Sequence, residues 1–233
     1  MMDRQARRAF DPAMTFSILA RCPRTGRIGS AVTTSAVAVG SRVPYALPKG
    51  LGGVLTQHRT DPRLGPRGLK LLEEGCTAAE TIAALVASTP YAHWRQLAVV
   101  DAKGDTAFYH GAKVKPCKGV AQGPGVIAIG NILANDEVPA AILKGFMDAE
   151  GADLATRLLA GLQAGEDAGG EHGDVHSASL LVMGEQSFPL VDLRVDYAEK
   201  DVIGELTRLW KRYEPTVEPY IQRVIDADNA PVL

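Results

Sequence analysis

Extended and helical segments come in runs along this chain, and that order limits its fold more than any other feature. Apolar alternation over 14–20 marks a strand, because side chains on an extended chain point to opposite faces in turn. Pro23-Arg24-Thr25-Gly26 supplies a turn, with proline presetting one dihedral and glycine free to close it. A second strand returns over 28–35, which sets Thr15 roughly opposite Thr34, and a third is read at 52–56. Two helices follow. Pro66 takes the first position of one over 66–74, stopped by Gly75. Thr77-Ala78-Ala79-Glu80 is a capping box that opens the other over 78–87, because hydroxyl and carboxylate each satisfy an orphan N–H. Strands resume at 96–101, 106–110 and 125–129. Asn135 caps the next helix, with Asp136 and Glu137 in its first turn, and another over 152–164 stops at Gly165. Strands at 177–183 and 190–195 precede a last helix over 200–213.

Strands in runs joined by short turns, with helices in pairs between them, give an α+β fold of antiparallel sheets. A doubly wound parallel sheet would alternate strand and helix throughout. We read residues 1–13 as an N-terminal extension without periodicity, 14–214 as one domain, and 215–233 as a C-terminal arm. Tyr220, Ile221 and Val224 on that arm form a candidate interface strip, or a cover for the chain's own core.

Charge and cysteine usage exclude several function classes. The chain has 25 Lys+Arg against 27 Asp+Glu, net −2, in 233 residues. That lacks the basic excess of a nucleic-acid binder and gives no reason to expect a membrane partner. No apolar run reaches the roughly 18 residues of a membrane span. Cys22, Cys76 and Cys117 are isolated and odd in number, which argues against a zinc ribbon or disulfide framework and suits a reducing, cytoplasmic setting. Arg7-Arg8 is not followed by the apolar stretch that a twin-arginine signal needs.

Gly123-Pro124-Gly125-Val126-Ile127-Ala128 has the spacing of a dinucleotide fingerprint. No helix follows it to receive a pyrophosphate, so nucleotide binding is not expected. His172, Asp174 and His176 share a glycine-rich loop, where they either meet a divalent metal or stay solvated. Further ligands have no obvious source, and no metal is assigned. The segment from Thr56 to Gly68 concentrates His58, Arg59, Arg63 and Arg67 between a buried strand and a helix start. Loops at strand ends collect binding groups, and arginine can clamp a carboxylate; the same residues also suit a solvated rim. Gln57 and His58 come straight off the strand and are the better placed to face a pocket. Gly130-Asn131 ends a buried strand and offers either an oxyanion-stabilising N–H and amide pair or only a turn.

Thr15 stands out through its neighbour. Met14 precedes it, and methionine before a small residue is a start site that an aminopeptidase removes. Initiation there would free the Thr15 α-amine, whose ordinary pKa of about 7.7–8.0 suits a general base. A threonine hydroxyl activated by its own amine is a known nucleophile.

Several collinear stretches resemble the domain-of-unknown-function family DUF1028. They are Met14-Thr15-Phe16-Ser17-Ile18, Ala38-Val39-Gly40-Ser41-Arg42-Val43-Pro44, Thr56-Gln57, Gly65-Pro66-Arg67-Gly68-Leu69, Gly130-Asn131-Ile132-Leu133 and Val191-Asp192-Leu193-Arg194-Val195-Asp196. The likeness runs from about Met14 to the helix near Trp210. It implies membership of the Ntn (N-terminal nucleophile) hydrolase superfamily and a four-layer αββα sandwich of two antiparallel sheets. It also implies that Thr15 is the nucleophile. This chain departs from the pattern by carrying a segment ahead of Thr15, and by having His176-Ser177-Ala178 where relatives usually have Gln-Ser-Ala.

The expectation is therefore an amidohydrolase for a small amide. Thr15 would be nucleophile and base, Gly130 and Asn131 would hold the oxyanion, and Thr34, Gln57 and His58 would line the pocket. Arg63 or Arg67 would attract a substrate carboxylate, and no cofactor is required. The rival is a catalytically silent binding module, favoured if 1–13 is retained; metal-assisted hydrolysis at His172, Asp174 and His176 is the third. Sandwiches of this breadth often pair, so a homodimer is the assembly considered.

Overall fold

The computed structural model describes residues 14–232, and the extension read at 1–13 lies outside the described residues. Strand β1 (Thr15–Arg21) turns back into β2 (Ile28–Thr34), and the register sets Thr15 opposite Thr34. A short β3 (Pro44–Ala46) and β4 (Gly52–Gln57) lead to helices α1 (Leu64–Glu73) and α2 (Ala78–Ala87). Next come β5 (Gln96–Asp101), β6 (Thr106–His110), β7 (Lys118–Gly123) and β8 (Val126–Asn131). Helices α3 (Val138–Asp148) and α4 (Leu154–Asp167) precede β9 (Ser177–Met183), β10 (Pro189–Val195), α5 (Val202–Tyr213) and α6 (Val217–Ile225). The strands form two antiparallel sheets, one of six in the order β10-β9-β2-β1-β8-β7 and one of four, β3-β4-β5-β6.

Alternation along β1 explains the layering. Phe16, Ile18 and Ala20 pack with Ile142, Leu158 and Leu162 of α3 and α4. Leu19, on the opposite face, packs with Leu55, Ala98 and Val100 of the smaller sheet. The smaller sheet turns Val54, Leu97 and Val99 outward onto Leu64 and Leu72 of α1 and Ile82 and Leu85 of α2. The result is helices, six strands, four strands, helices. A strand buried on both faces needs no polar side, and β1 and β8 are buried along their lengths save at Arg21.

The capping box forms as expected, with Thr77 Oγ1 accepting from Glu80 N and Glu80 Oε2 accepting from Thr77 N. Gly123 to Gly125 is a strand-to-strand turn with no helix after it. Some boundaries differ from those read in the sequence. Gly165 lies inside α4, because a Cβ there would come within 2.5 Å of Ile142 Cγ1; this glycine permits helix approach and does not stop the helix. Strands β3 and β7 were missed, one being three residues long and opened by proline, the other (Lys-Gly-Val-Ala-Gln-Gly) lacking apolar alternation. Helix α3 starts at Val138, three residues beyond Asn135, whose Oδ1 instead accepts from Glu137 N in the preceding turn. On α6, Tyr220 and Val224 are exposed while Ile221 packs against the core. No helix among the described residues is long and apolar enough to cross a membrane.

Candidate active site

The apolar layer between the sheets turns polar at one end. On β1 the residues facing the smaller sheet are Leu19, then Ser17, then Thr15; on β8 they are Ile127, Ile129, then Asn131. Leu55 gives way to Gln57 on β4, and Ala98 gives way to Gln96 on β5. Period-two geometry keeps each polar residue on the same face as the aliphatic residues behind it. These end residues are almost wholly enclosed: Ser17, Gln57, Gln96 and Asn131 are 0% exposed and Thr15 is 5%.

Their hydrogen bonds fix one another's direction. Gly130 O can only accept, and Gln96 Nε2 donates to it at 2.7 Å. Gln96 Oε1 must then accept, and it does so from Gln57 Nε2 at 2.6 Å and Asn131 Nδ2 at 2.8 Å. Gln57 Oε1 is left to accept from Ser17 Oγ at 2.9 Å. The chain of assignments ends at Asn131 Oδ1, a buried acceptor with no partner among the described residues. Such an oxygen is costly unless something donates to it, and it belongs to the residue paired across the ladder with Thr15. Gln96 Nε2 also lies 3.1 Å from His110 Nε2. Burial, then the Lys118 charge, lowers the His110 pKa to about 4, so its ring is neutral near pH 7.

Thr15 Oγ1 lies 3.2 Å from Thr34 Oγ1, and Thr34 Oγ1 donates to Met14 O. Asn131 Nδ2 stands 3.5 Å from Thr15 O. Met14 N donates to Ser35 Oγ at 3.2 Å, and Ser35 N donates to Glu171 Oε2 at 3.2 Å. Met14 is thus held at its carbonyl by Thr34 and at its N–H by Ser35, and Ser35 is in turn fixed by Glu171 from the loop before β9. Strain gathers here as well. Of the six non-glycine residues with positive φ among the described residues, His58 (52°) and Arg59 (44°) follow Gln57, and Ile132 (55°) follows Asn131. A β-branched residue in that region is a true outlier, and such strain collects where function holds the backbone in place.

Of the residues read from the sequence, Thr15, Thr34, Gln57, Gly130 and Asn131 come together. Gly130 lies inside a ladder with neighbours on both sides, Phe16 and Gly119, which takes up its N–H; what it brings to the network is its carbonyl. His58 is turned aside. Its Nδ1 lies 2.9 Å from Trp94 O, Lys115 N donates to its Nε2 at 3.4 Å, and its ring stacks on Trp94. Burial holds its pKa below 6.5, and the charges of Arg59, Lys115 and Lys118 add to that against the Trp94 carbonyl. Arg63 is exposed and grips Asp61 with two hydrogen bonds of 2.8 and 2.9 Å. Arg67 donates to Ser88 O at 3.1 Å on the α1–α2 face. Neither arginine joins the network.

His176 Nδ1 lies 3.0 Å from Ala198 O and its ring stacks on Tyr197, whereas His172 and Asp174 line a separate cleft. No group of three or more His, Cys, Asp or Glu able to hold a metal ion occurs among the described residues. Sequence reading missed Ser17, Gln96, His110 and Glu171. The signal for Ser17 and Gln96 was available, since each is a polar residue at the inward parity of a buried strand. His110 and Glu171 needed the tertiary fold.

A family model described as "Family of unknown function (DUF1028)" matches residues 15–206, beginning on Thr15. The chain is also similar to the crystal structure of protein SPO2555 from Silicibacter pomeroyi, which carries the same family description. Identity is 31% over 86% of this chain and 89% of the other, with a TM-score of 0.79. No curated protein matches the chain.

Proposed function

The chain belongs to the DUF1028 family, a family of unknown function, and from that premise we propose that it is an Ntn-type amidohydrolase cleaving a small amide with Thr15 as its N-terminal nucleophile. The observation that carries this reading is the placement of Thr15. It is a hydroxyl at the first position of a central strand, at the one end of the inter-sheet layer where amides replace aliphatics, beside an unpartnered Asn131 oxygen.

In this mechanism Met14 and all that precedes it are absent, and the α-amine of Thr15 takes the proton from Oγ1 as that oxygen attacks the substrate carbonyl. Asn131 Nδ2 donates to the oxyanion, held in direction by Gln96, while Gly130 anchors Gln96 through its carbonyl. Orientation fixed before reaction is where such donors gain their effect. The ammonium returns its proton to the leaving nitrogen, the C–N bond breaks, and an amine departs from a threonyl ester. Water, deprotonated by the same amine, hydrolyses the ester to the acid and restores the hydroxyl. Thr34 Oγ1, facing Thr15 Oγ1, keeps the nucleophile's rotamer, and Gln57, held by Ser17, donates to the Gln96 oxygen that directs Asn131. His58, Arg63 and Arg67 stand outside this sequence of steps.

The silent binding module is favoured by one observation: with Met14 in place, the Thr15 nitrogen is an amide, and Met14 is buried and hydrogen bonded to Ser35. Intact mass and N-terminal sequencing of the protein from its native host separate the two. A chain beginning at Thr15 supports the hydrolase; one that keeps Met14 throughout its lifetime supports the module. In the chain beginning at Thr15, Thr15→Ala should lower turnover of a cleaved amide by at least about a thousandfold, with melting temperature little changed. Undiminished turnover would sink the assignment.

A further inference from the structure

A cleft of about 360 Å³ lies between the loop that precedes β9 and the turn that precedes α5. Five carboxylates line it, Glu166, Glu171, Asp174, Glu199 and Asp201, against one ammonium, Lys200. Asp201 is partly spent on Arg208, whose Nη1 lies 2.9 Å away. Glu171 is different in kind from a solvated acid. It is 6% exposed, its Oε2 accepts from Ser35 N, and its Oε1 is buried and accepts from nothing among the described residues. Burial, opposed by the Ser35 N–H and reinforced by Glu166, pushes its carboxyl well above the ordinary range. A carboxyl enclosed this way lacks a positive charge, and its Oε1 lacks a donor.

The cleft adjoins the Thr15 site through Met14. Two hydrogen bonds, Met14 N to Ser35 Oγ and Ser35 N to Glu171 Oε2, link the residue before Thr15 to the cleft wall. A Cβ on Gly173, also in that wall, would stand 3.0 Å from Met14 Cε. The buried methionine therefore lies against the cleft wall on one side and precedes Thr15 on the other, so its removal would free space between them.

We propose that this cleft is a subsite for an organic cation, an ammonium or guanidinium group held by Glu171 and Asp174, so that the amide cleaved at Thr15 carries a positive charge. The second clause rests on the Thr15 reading; the first does not. An organic cation fits better than a metal ion because its N–H groups can reach carboxylates spread around a wall, whereas a metal needs several ligands on one point, and no such group exists among the described residues.

The test is calorimetric titration of the full chain with two probes of nearly equal shape, Nα-acetyl-argininamide and its neutral isostere Nα-acetyl-citrullinamide. Saturable binding of the arginine probe, at least tenfold tighter than the citrulline probe, is expected. Glu171→Gln and the exposed Asp174→Asn should each weaken the arginine probe at least fivefold while leaving the melting temperature no lower. Equal affinity for the two probes, no saturable binding, or unchanged binding in Asp174→Asn together with Glu171→Gln overturns the proposal. Because the titration needs no turnover, it stays separate from the Thr15 reading. If the chain beginning at Thr15 binds the arginine probe yet cleaves no amide, the nucleophile assignment falls and the cation subsite stands.

Discussion

Gln96 holds Gly130, Gln57 and Asn131 with one side chain and lies against His110. Removing it leaves the Gln57 and Asn131 amides without their acceptor inside a closed layer. Gln96→Leu should therefore destabilise the fold by about 2–4 kcal/mol, since each orphaned buried group costs about 1–3 kcal/mol and some will relax; urea unfolding would show a lower midpoint at unchanged slope. His110 writes itself into the pH dependence. Its ordinary pKa of 6.5 applies in the unfolded chain, and burial holds the folded value at about 4. Above pH 6.5 neither state takes the proton; between 6.5 and about 4 only the unfolded state does, so stability falls as the pH falls through that window. His110→Gln should flatten that segment of a plot of unfolding free energy against pH. A variant as acid-sensitive as the parent would show that the ring is not neutral in the fold. Glu166 and Glu171, both raised chiefly by burial, act in the opposite sense and lose stability as pH rises, which is why the comparison with the variant is needed.

Helices α3 and α4 are held close by small residues. A Cβ on Gly145 would sit 2.5 Å from Ala164 Cβ and 2.8 Å from Ala160 O. Gly145→Ala gains about 1 kcal/mol of helix propensity but overpacks the contact at about 1–3 kcal/mol, so a net loss is expected. Gly151→Ala, where nothing lies within 4 Å, should be close to neutral; thermal melts of the two variants check the contrast. Features set by local chemistry are the ones the sequence reveals. The capping box at Thr77 and the hairpin register at Thr15 and Thr34 are local chemistry, and both were legible. Gly165 was misread because its reason lies on another helix, in Ile142. Strand β7 was invisible because its place is given by hydrogen bonds to β8, not by its own pattern. At the site, Thr15, Thr34, Gln57 and Asn131 could be found from strand ends and neighbours. The arginines could not be judged, since Arg63 and Asp61 are two residues apart and their pairing depends on how the loop folds.

The whole molecule should be stiffest in its central strands, packed on both faces. Strands β1, β2 and β8 have strand partners on each side, with the helix layer on one face and the smaller sheet on the other. Their amides should exchange with solvent only on global unfolding, while β6 and β7, each at the edge of a sheet and half-buried, should exchange soonest among the strands. Hydrogen exchange followed by mass spectrometry reads this order directly, and fast exchange in β1 would contradict the layering.

Strands β1, β4, β5 and β8 each carry two interleaved texts. The letters facing the helices spell packing and, at Thr56 and Asp101, the fastening of neighbouring turns; the alternate letters spell packing for most of the strand and then, at one end, chemistry. Drift in the first text can proceed without touching the second. Gaining or losing a single letter inside such a strand garbles both at once, exchanging Thr15 with Phe16 or Asn131 with Gly130 across the sheet. A change of length that keeps this fold is thus expected in the turns, where it leaves the spacing of the site intact.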